Sequence, residues 1–229
     1  MTNRTPTLTY RRVRARARSM ASNARNRIAP RTAPGPGRAP DFVGMGTQKA
    51  GTSWWFSLLL AHPVVDRPWA GGKELHFIDT LASGPLDESA VQAYHRHFQS
   101  PADRVVGEWT PKYLFLPWGA ESLTVLAPEA RALLILRDPV DRAISGVTHH
   151  VARGAAPDDD LVSQQVGRSD YLPQLVRLFE HIDADRVRLY QYEALRKDPG
   201  TWLADTHAFL GLEHIALPAE TLRETRNET

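Results

Sequence analysis

Residues 42–55 read Phe-Val-Gly-Met-Gly-Thr-Gln-Lys-Ala-Gly-Thr-Ser-Trp-Trp, an apolar run that breaks into a glycine-rich turn and then opens a helical pattern. Strand, glycine turn and helix in that order gather backbone N–H groups at a helix N-terminus, where they bind an anion. The segment Gly46–Ser53 keeps the glycine spacing and terminal serine of the nucleoside triphosphatase loop, but Thr52 stands where that loop has its lysine. The lysine here is Lys49, inside the turn. Its position decides which atom of a bound anion receives the charge.

With 229 residues, 42% hydrophobic and 24% charged, the chain suits one large domain able to bury a core. The net charge of +2 hides a division. Residues 1–40 hold ten Arg and no Asp or Glu, whereas residues 41–229 hold 18 basic and 26 acidic residues, a net charge of −8. The leader is poor in large apolar residues and ends in a Pro/Gly tract, so a disordered tail and linker is expected over 1–40, with the domain over 41–229. An arm for nucleic acid or anionic lipid, or a targeting segment, is the alternative for the leader. The acidic body is not expected to bind nucleic acid. No apolar stretch reaches membrane-spanning length, and a soluble, cytoplasmic protein is expected. Zero cysteines exclude disulfides and thiol catalysis.

The hydrophobic pattern predicts strands at 41–44, 104–108, 132–136 and 187–190, and helices at 52–61, 87–99, 121–126, 171–182 and 201–210. Val140, Ile144, Val147 and Val151 fall on one helical stripe and predict a further amphipathic helix after the strand Ala132–Leu136. Alternating strands and helices imply an α/β fold, a three-layer α/β/α arrangement with a mainly parallel central sheet and the ligand at the strands' carboxyl ends.

Four segments in register resemble the sulfotransferases that use 3′-phosphoadenosine 5′-phosphosulfate. Thr47-Gln-Lys-Ala-Gly-Thr-Ser-Trp54 is similar to the family's 5′-phosphosulfate loop. Leu136-Arg-Asp-Pro-Val-Asp-Arg-Ala-Ile-Ser145 is similar to the segment in which a strand-end arginine and a helical serine hold the 3′-phosphate. Lys73-Glu-Leu-His-Phe-Ile-Asp79 resembles a stretch of the carbohydrate, heparan-type branch, and Tyr192–Leu195 with Phe209–Leu212 resembles the distal helical end. Gly107–Tyr113 resembles the acceptor-side segment, with Trp109 where relatives carry lysine. Members of this family continue with a loop that closes over the nucleotide, so the resemblance implies either a compact or a truncated end after Leu212.

The resemblance implies a phosphosulfate co-substrate held by Thr47, Gln48, Lys49, Ala50, Gly51, Thr52, Ser53, Trp54, Arg137 and Ser145, with no metal. Lys49 then stabilises charge on the departing phosphate, an electrostatic role that needs no metal. Glu74 is the expected base toward a sugar or small-molecule acceptor and His76 its rival, while Lys73, Trp109 and Lys112 face the acceptor. Alternatives stay open at several positions. Arg137 can instead pair with Asp138 or Asp141, and Trp109 can be core. Arg142 reads as a surface partner of Asp138, Asp158–Asp160 as a solvated loop, and His95, His97, His149 and His150 as structural. Arg168-Ser-x-Tyr171 resembles a segment that approaches the 3′-phosphate or the acceptor. A kinase or triphosphatase on the same loop, or a non-catalytic nucleotide-binding relative, is the competing function. Oligomeric state is not legible.

Overall fold

The computed structural model describes residues 37–69, 72–81 and 86–224. Of the tail and linker expected over residues 1–40, residues 1–36 lie outside the described residues. Gly37 and Arg38 belong to the folded body. Gly37 bridges Gln99, and the Arg38 guanidinium grips Asp41 with two bonds of 2.9 and 2.8 Å while reaching the Arg104 carbonyl at 2.7 Å.

Five strands form the sheet: β1 (Phe42–Gly46), β2 (Val65–Asp66), β3 (Val105–Trp109), β4 (Arg131–Leu136) and β5 (Val187–Gln191). Their order is β2-β3-β1-β4-β5, and every neighbouring pair is parallel. The helices are α1 (Thr52–Leu59), α2 (Glu88–His95), α3 (Gly119–Leu126), α4 (Pro139–Val151), α5 (Asp159–Ser169), α6 (Tyr171–His181), α7 (Tyr192–Lys197), α8 (Pro199–Phe209) and α9 (Ala219–Arg223). Side chains alternate across the sheet with the two-residue period of a strand. Ala132 and Leu134 enter one core with Tyr94 of α2, Leu123 of α3 and Leu178 of α6. Leu133 and Ile135 enter the other with Trp55 of α1 and Leu203 of α8. The result is the expected three-layer α/β/α fold. The short edge strand β2 was not expected; its Asp66 takes two bonds from Arg104 at 2.6 and 2.8 Å, which tie it to the start of β3.

Trp109, expected at the acceptor, is fully buried. Its cross-strand partner in β1 is Gly44, and a Cβ at Gly44 would overlap the indole ring. The ring lies over the bare glycine, and its Nε1–H donates to the Gly46 carbonyl at 3.2 Å. Trp109 is therefore core, and it props the strand that leads into the glycine turn.

Three further expectations change for one reason, the packing of α4 against α5. The apolar stripe of α4 points outward, with Val140 64% and Ile144 60% exposed, while Arg142 and Gly146 face inward. Gly146 lets the helices approach, because a Cβ there would strike the Gln165 amide. Arg142 is buried instead of paired at the surface. It donates to Ser169 Oγ at 2.6 Å and to the Gln165 carbonyl, at the C-terminal end of α5 where a helix presents partial negative charge. Asp138 is occupied as the N-cap of α4, accepting from the amides of Val140 and Asp141. The acidic run at 158–160 is no loop: Asp158 caps α5 by accepting from Leu161 N–H at 2.9 Å, and Asp159 and Asp160 form its first turn.

Adding a methyl group at Gly44 should force Trp109 off its seat. Gly44→Ala is expected to cost about 1–3 kcal/mol, read as a fall in the denaturant midpoint at unchanged slope. A second expectation concerns acid stability. Burial, then the neighbouring His62 and His214, push the buried His207 down to about 4. The unfolded chain binds a proton near the ordinary histidine value of about 6.5 that the folded chain refuses, so stability is lost as pH falls from there toward 4. His207→Phe should flatten that part of the wild-type Tm profile between pH 7.5 and 4.5.

Candidate functional site

The turn after β1 is built around two left-handed residues, Lys49 (φ 69°) and Gly51 (φ 78°). Lysine rarely adopts this conformation, which costs roughly 1 kcal/mol or more where the surroundings enforce it. The Arg137 guanidinium helps enforce it, donating through Nη1 to the Lys49 carbonyl at 3.2 Å. Gly51 is the N-cap of α1 and supplies no side-chain cap to the first amides of that helix, the groups that a helix leaves without an intrahelical partner. A Cβ at Gly51 would press the Tyr192 ring at 2.7 Å. Only glycine serves both the φ value and the space.

A cleft of about 610 Å³ opens at the carboxyl ends of the strands, where a parallel sheet presents its ligands. Among the described residues six cations line it, Lys49, Lys73, Lys112, Arg137, Arg153 and Arg168, against a single carboxylate, Glu74. That imbalance sits on a body whose net charge is −8 from 18 basic and 26 acidic residues. Burial, and then Arg153 and Arg137, hold the Lys49 amine below the ordinary lysine range. Its Nζ stands 3.3 Å from Nδ1 of His149, and an ammonium has only donors, so the imidazole accepts. Burial and the charges of Lys49, Arg153 and His150 likewise lower the His149 ring, consistent with its neutral, accepting form.

Arg137 leaves the end of β4 with Nη2 3.5 Å from Asp141, and its guanidinium lies 5.2 Å from the Tyr192 ring centre. Its buried Nε has no partner among the described residues. Ser145, two turns along α4, also lines the cleft. A guanidinium with an orphaned nitrogen and a serine on the lining of one cleft suit a phosphate.

The opposite wall carries Glu74. Its Oε1 receives Lys73 Nζ at 2.9 Å, and its Oε2 lies 3.3 Å from His76 Nε2. Lys73 also donates to the hydroxyls of Thr52 and Ser53 at 3.1 and 3.0 Å, which joins this wall to the start of α1. His76 Nδ1 lies 2.9 Å from Asp79 Oδ2, and Lys112 Nζ reaches the same oxygen at 3.1 Å. Both ring nitrogens of His76 thus face carboxylates.

Most of the expected residues converge on the cleft: Gln48, Lys49, Gly51, Thr52, Ser53, Trp54, Lys73, Glu74, His76, Lys112, Arg137 and Ser145 all border it. Three do not. Thr47 is buried and directs its hydroxyl and its amide to the Ile135 carbonyl, each at 2.9 Å, so it fastens the turn to β4. Ala50 is buried in the core beside α1, with its amide given to the Thr47 carbonyl at 3.2 Å. Trp109 lies in the core as described. Six lining residues lie outside that set: Pro111, Arg153 and Tyr192, His149 and His150, which were expected to be structural, and Arg168, whose segment was expected to approach the 3′-phosphate or the acceptor. For two of them a local signal was missed. Once Ser145 is taken as facing the ligand, helical spacing carries His149 and Arg153 along the same face. Arg168, stacked 4.6 Å over Phe115, is placed by α5, a helix whose acidic start resembles a loop in sequence.

No helix among the described residues is long and apolar enough to cross a membrane, and no group of three or more His, Asp or Glu there is arranged to hold a metal ion. The sequence matches the Sulfotransferase domain family over residues 39–228. Human heparan sulfate glucosamine 3-O-sulfotransferase 3B1 is 24% identical over 199 residues, 79% of this chain and 48% of that protein. The membrane-associated sulfotransferase kil1 of Dictyostelium discoideum is 29% identical over 110 residues, 46% of this chain and 22% of that protein. The chain thus spans about half or less of the length of these relatives. A solved sulfotransferase from Alicyclobacillus acidocaldarius superposes with a TM-score of 0.64 at 26% identity, over 80% of this chain and 88% of that one. By the match over residues 39–228, and by the glycine turn that opens its cleft, the chain belongs to the sulfotransferase domain family.

Proposed function

We propose that this protein transfers a sulfuryl group from 3′-phosphoadenosine 5′-phosphosulfate to a hydroxyl or amine of a sugar, glycolipid or small molecule. The observation that carries the proposal is the cleft itself: six cations around one carboxylate, at the N-terminus of an uncapped helix. The residues fit a nucleotide with two separated anionic groups. The turn from Gln48 to Ser53 and the first amides of α1 suit the phosphosulfate, and Arg137 with its orphaned Nε, together with Ser145, suits the 3′-phosphate. When bound, the co-substrate supplies the sulfuryl group and departs as adenosine 3′,5′-bisphosphate.

Glu74 is the proposed base. It is the only carboxylate on the cleft wall among the described residues, and it takes the acceptor's proton as the new S–O bond forms. His76 is proposed to aim Glu74, since its two ring nitrogens are already directed at Glu74 and Asp79. Lys49 stabilises the negative charge that develops on the departing phosphate oxygen. Lys73 and Lys112 form the acceptor side together with Glu74. A carbohydrate acceptor is in keeping with the heparan sulfate sulfotransferases among the relatives.

Calorimetry with adenosine 3′,5′-bisphosphate is expected to show binding that Lys49→Ala weakens at least tenfold. Labelled donor offered with sugar, glycolipid and phenolic acceptors should give transfer that Lys49→Ala and Glu74→Gln abolish and His76→Asn only reduces. Magnesium-dependent ATP binding with no response to the bisphosphate would overturn the proposal in favour of a kinase or triphosphatase. The lowered Lys49 amine has its own signature. Anions bind its charged form, so bisphosphate affinity should decline with rising pH before the ordinary lysine range is reached, and Lys49→Arg should remove that decline.

A further inference from the structure

The loop carrying Glu74 rests on a buried polar cluster. Glu108, Thr110, Tyr94 and Tyr113 have no solvent exposure. Three consecutive loop amides point into this cluster. Leu75 N–H donates to Glu108 Oε2 at 3.1 Å, His76 N–H to Thr110 Oγ1 at 3.3 Å, and Phe77 N–H to the Tyr113 hydroxyl at 2.9 Å. The acceptors are themselves joined: Thr110 Oγ1 donates to Glu108 Oε2 at 2.6 Å, and the hydroxyls of Tyr94 and Tyr113 donate to Oε1 at 2.8 and 3.0 Å. Four donors meet the four lone-pair sites of one carboxylate.

On the other side of Glu74 the Lys73 carbonyl accepts from Trp109 N–H at 2.9 Å. The peptide groups before and after Glu74 are therefore each fastened to adjacent residues of β3. The same bonds hold His76 at a φ of 53°, a left-handed value that a side chain adopts only where its surroundings impose it. Successive amides turned to one side form a concavity for an anion, and here the first reaches the protein's own carboxylate while the next two reach hydroxyls bonded to it.

We propose that Glu108 is a positioning residue for the transfer reaction: by bonding the Leu75 amide at the end of β3 it sets where the Glu74 carboxylate stands, and Thr110 and Tyr113 extend that hold to His76 and Phe77. The proposal rests on Glu74 being the base. Its chemistry is specific to an acceptor-only group. The isosteric amide of Glu108→Gln presents a donor to one of two pairs that already donate, the Leu75 amide with Thr110 or the two tyrosines. A buried mismatch of this kind displaces the loop without creating a cavity.

The test uses the full chain. Glu108→Gln should bind adenosine 3′,5′-bisphosphate within twofold of wild type, because the cluster does not touch the glycine turn or Arg137. Its kcat, with whichever acceptor the panel yields, should fall at least tenfold with little change in KM, and the acid limb of its kcat–pH profile should move. Amide exchange at Leu75 should accelerate in Glu108→Gln, and at His76 in Thr110→Val, a readout that needs no acceptor. Unchanged kcat, pH profile and Leu75 exchange would overturn the proposal. If Glu108→Gln loses bisphosphate binding through misfolding, Thr110→Val and Tyr113→Phe carry the same measurements. Full activity in Glu74→Gln would instead overturn the base assignment, while Leu75 exchange would still report on the hold that Glu108 exerts.

Discussion

Repulsion between like charges governs this architecture. Two unit charges 4 Å apart repel by about 4 kcal/mol at the effective dielectric near a protein surface, and this cleft gathers six cations along one wall system. The fold holds them by giving several of them a fixed neutral or anionic partner. Arg137 is tied to the Lys49 carbonyl, Lys73 to two hydroxyls and Glu74, and Lys112 to Asp79. Lys49 leans on a neutral imidazole, and its own amine is held less firmly protonated than usual.

The layered fold was legible because it follows from period. Ala132–Leu136 is apolar throughout, as a strand covered on both faces must be, and the turn at Gly46–Gly51 announces the strand-to-helix step. The cleft was legible at Lys49 and Arg137 because those residues follow the ends of β1 and β4, and at Glu74 and Ser145 because their segments resemble those of a known family. Short local signals were sufficient there.

The remainder depended on contacts that no local window contains. The outward stripe of α4 misled because hydropathy reports which side of a helix is apolar, and only tertiary packing decides which side is covered. Arg142 is buried because Gly146, one turn on in the same helix, lets the end of α5 close over it, and α5 lies one element further along the chain. Trp109 looked like a ligand contact in its own strand, and it is the missing side chain of Gly44 in the neighbouring strand that makes it core. The run at 158–160 was ambiguous for another reason: the same carboxylates that solvate a loop also cap a helix, and the helical turns after Asp160 decide between the two.

One bond joins the start of α1 to α9. The indole Nε1–H of Trp54, in the first turn of α1 and on the wall of the cleft, donates to the Leu222 carbonyl of α9 at 3.0 Å. The first helix after the glycine turn and the last helix described are latched to each other. A ligand that steadies the start of α1 therefore also steadies a segment more than 160 positions later in the chain, and loosening of that segment feeds back on the turn. Order at the start of α1 and order at α9 are thereby coupled through a single backbone carbonyl.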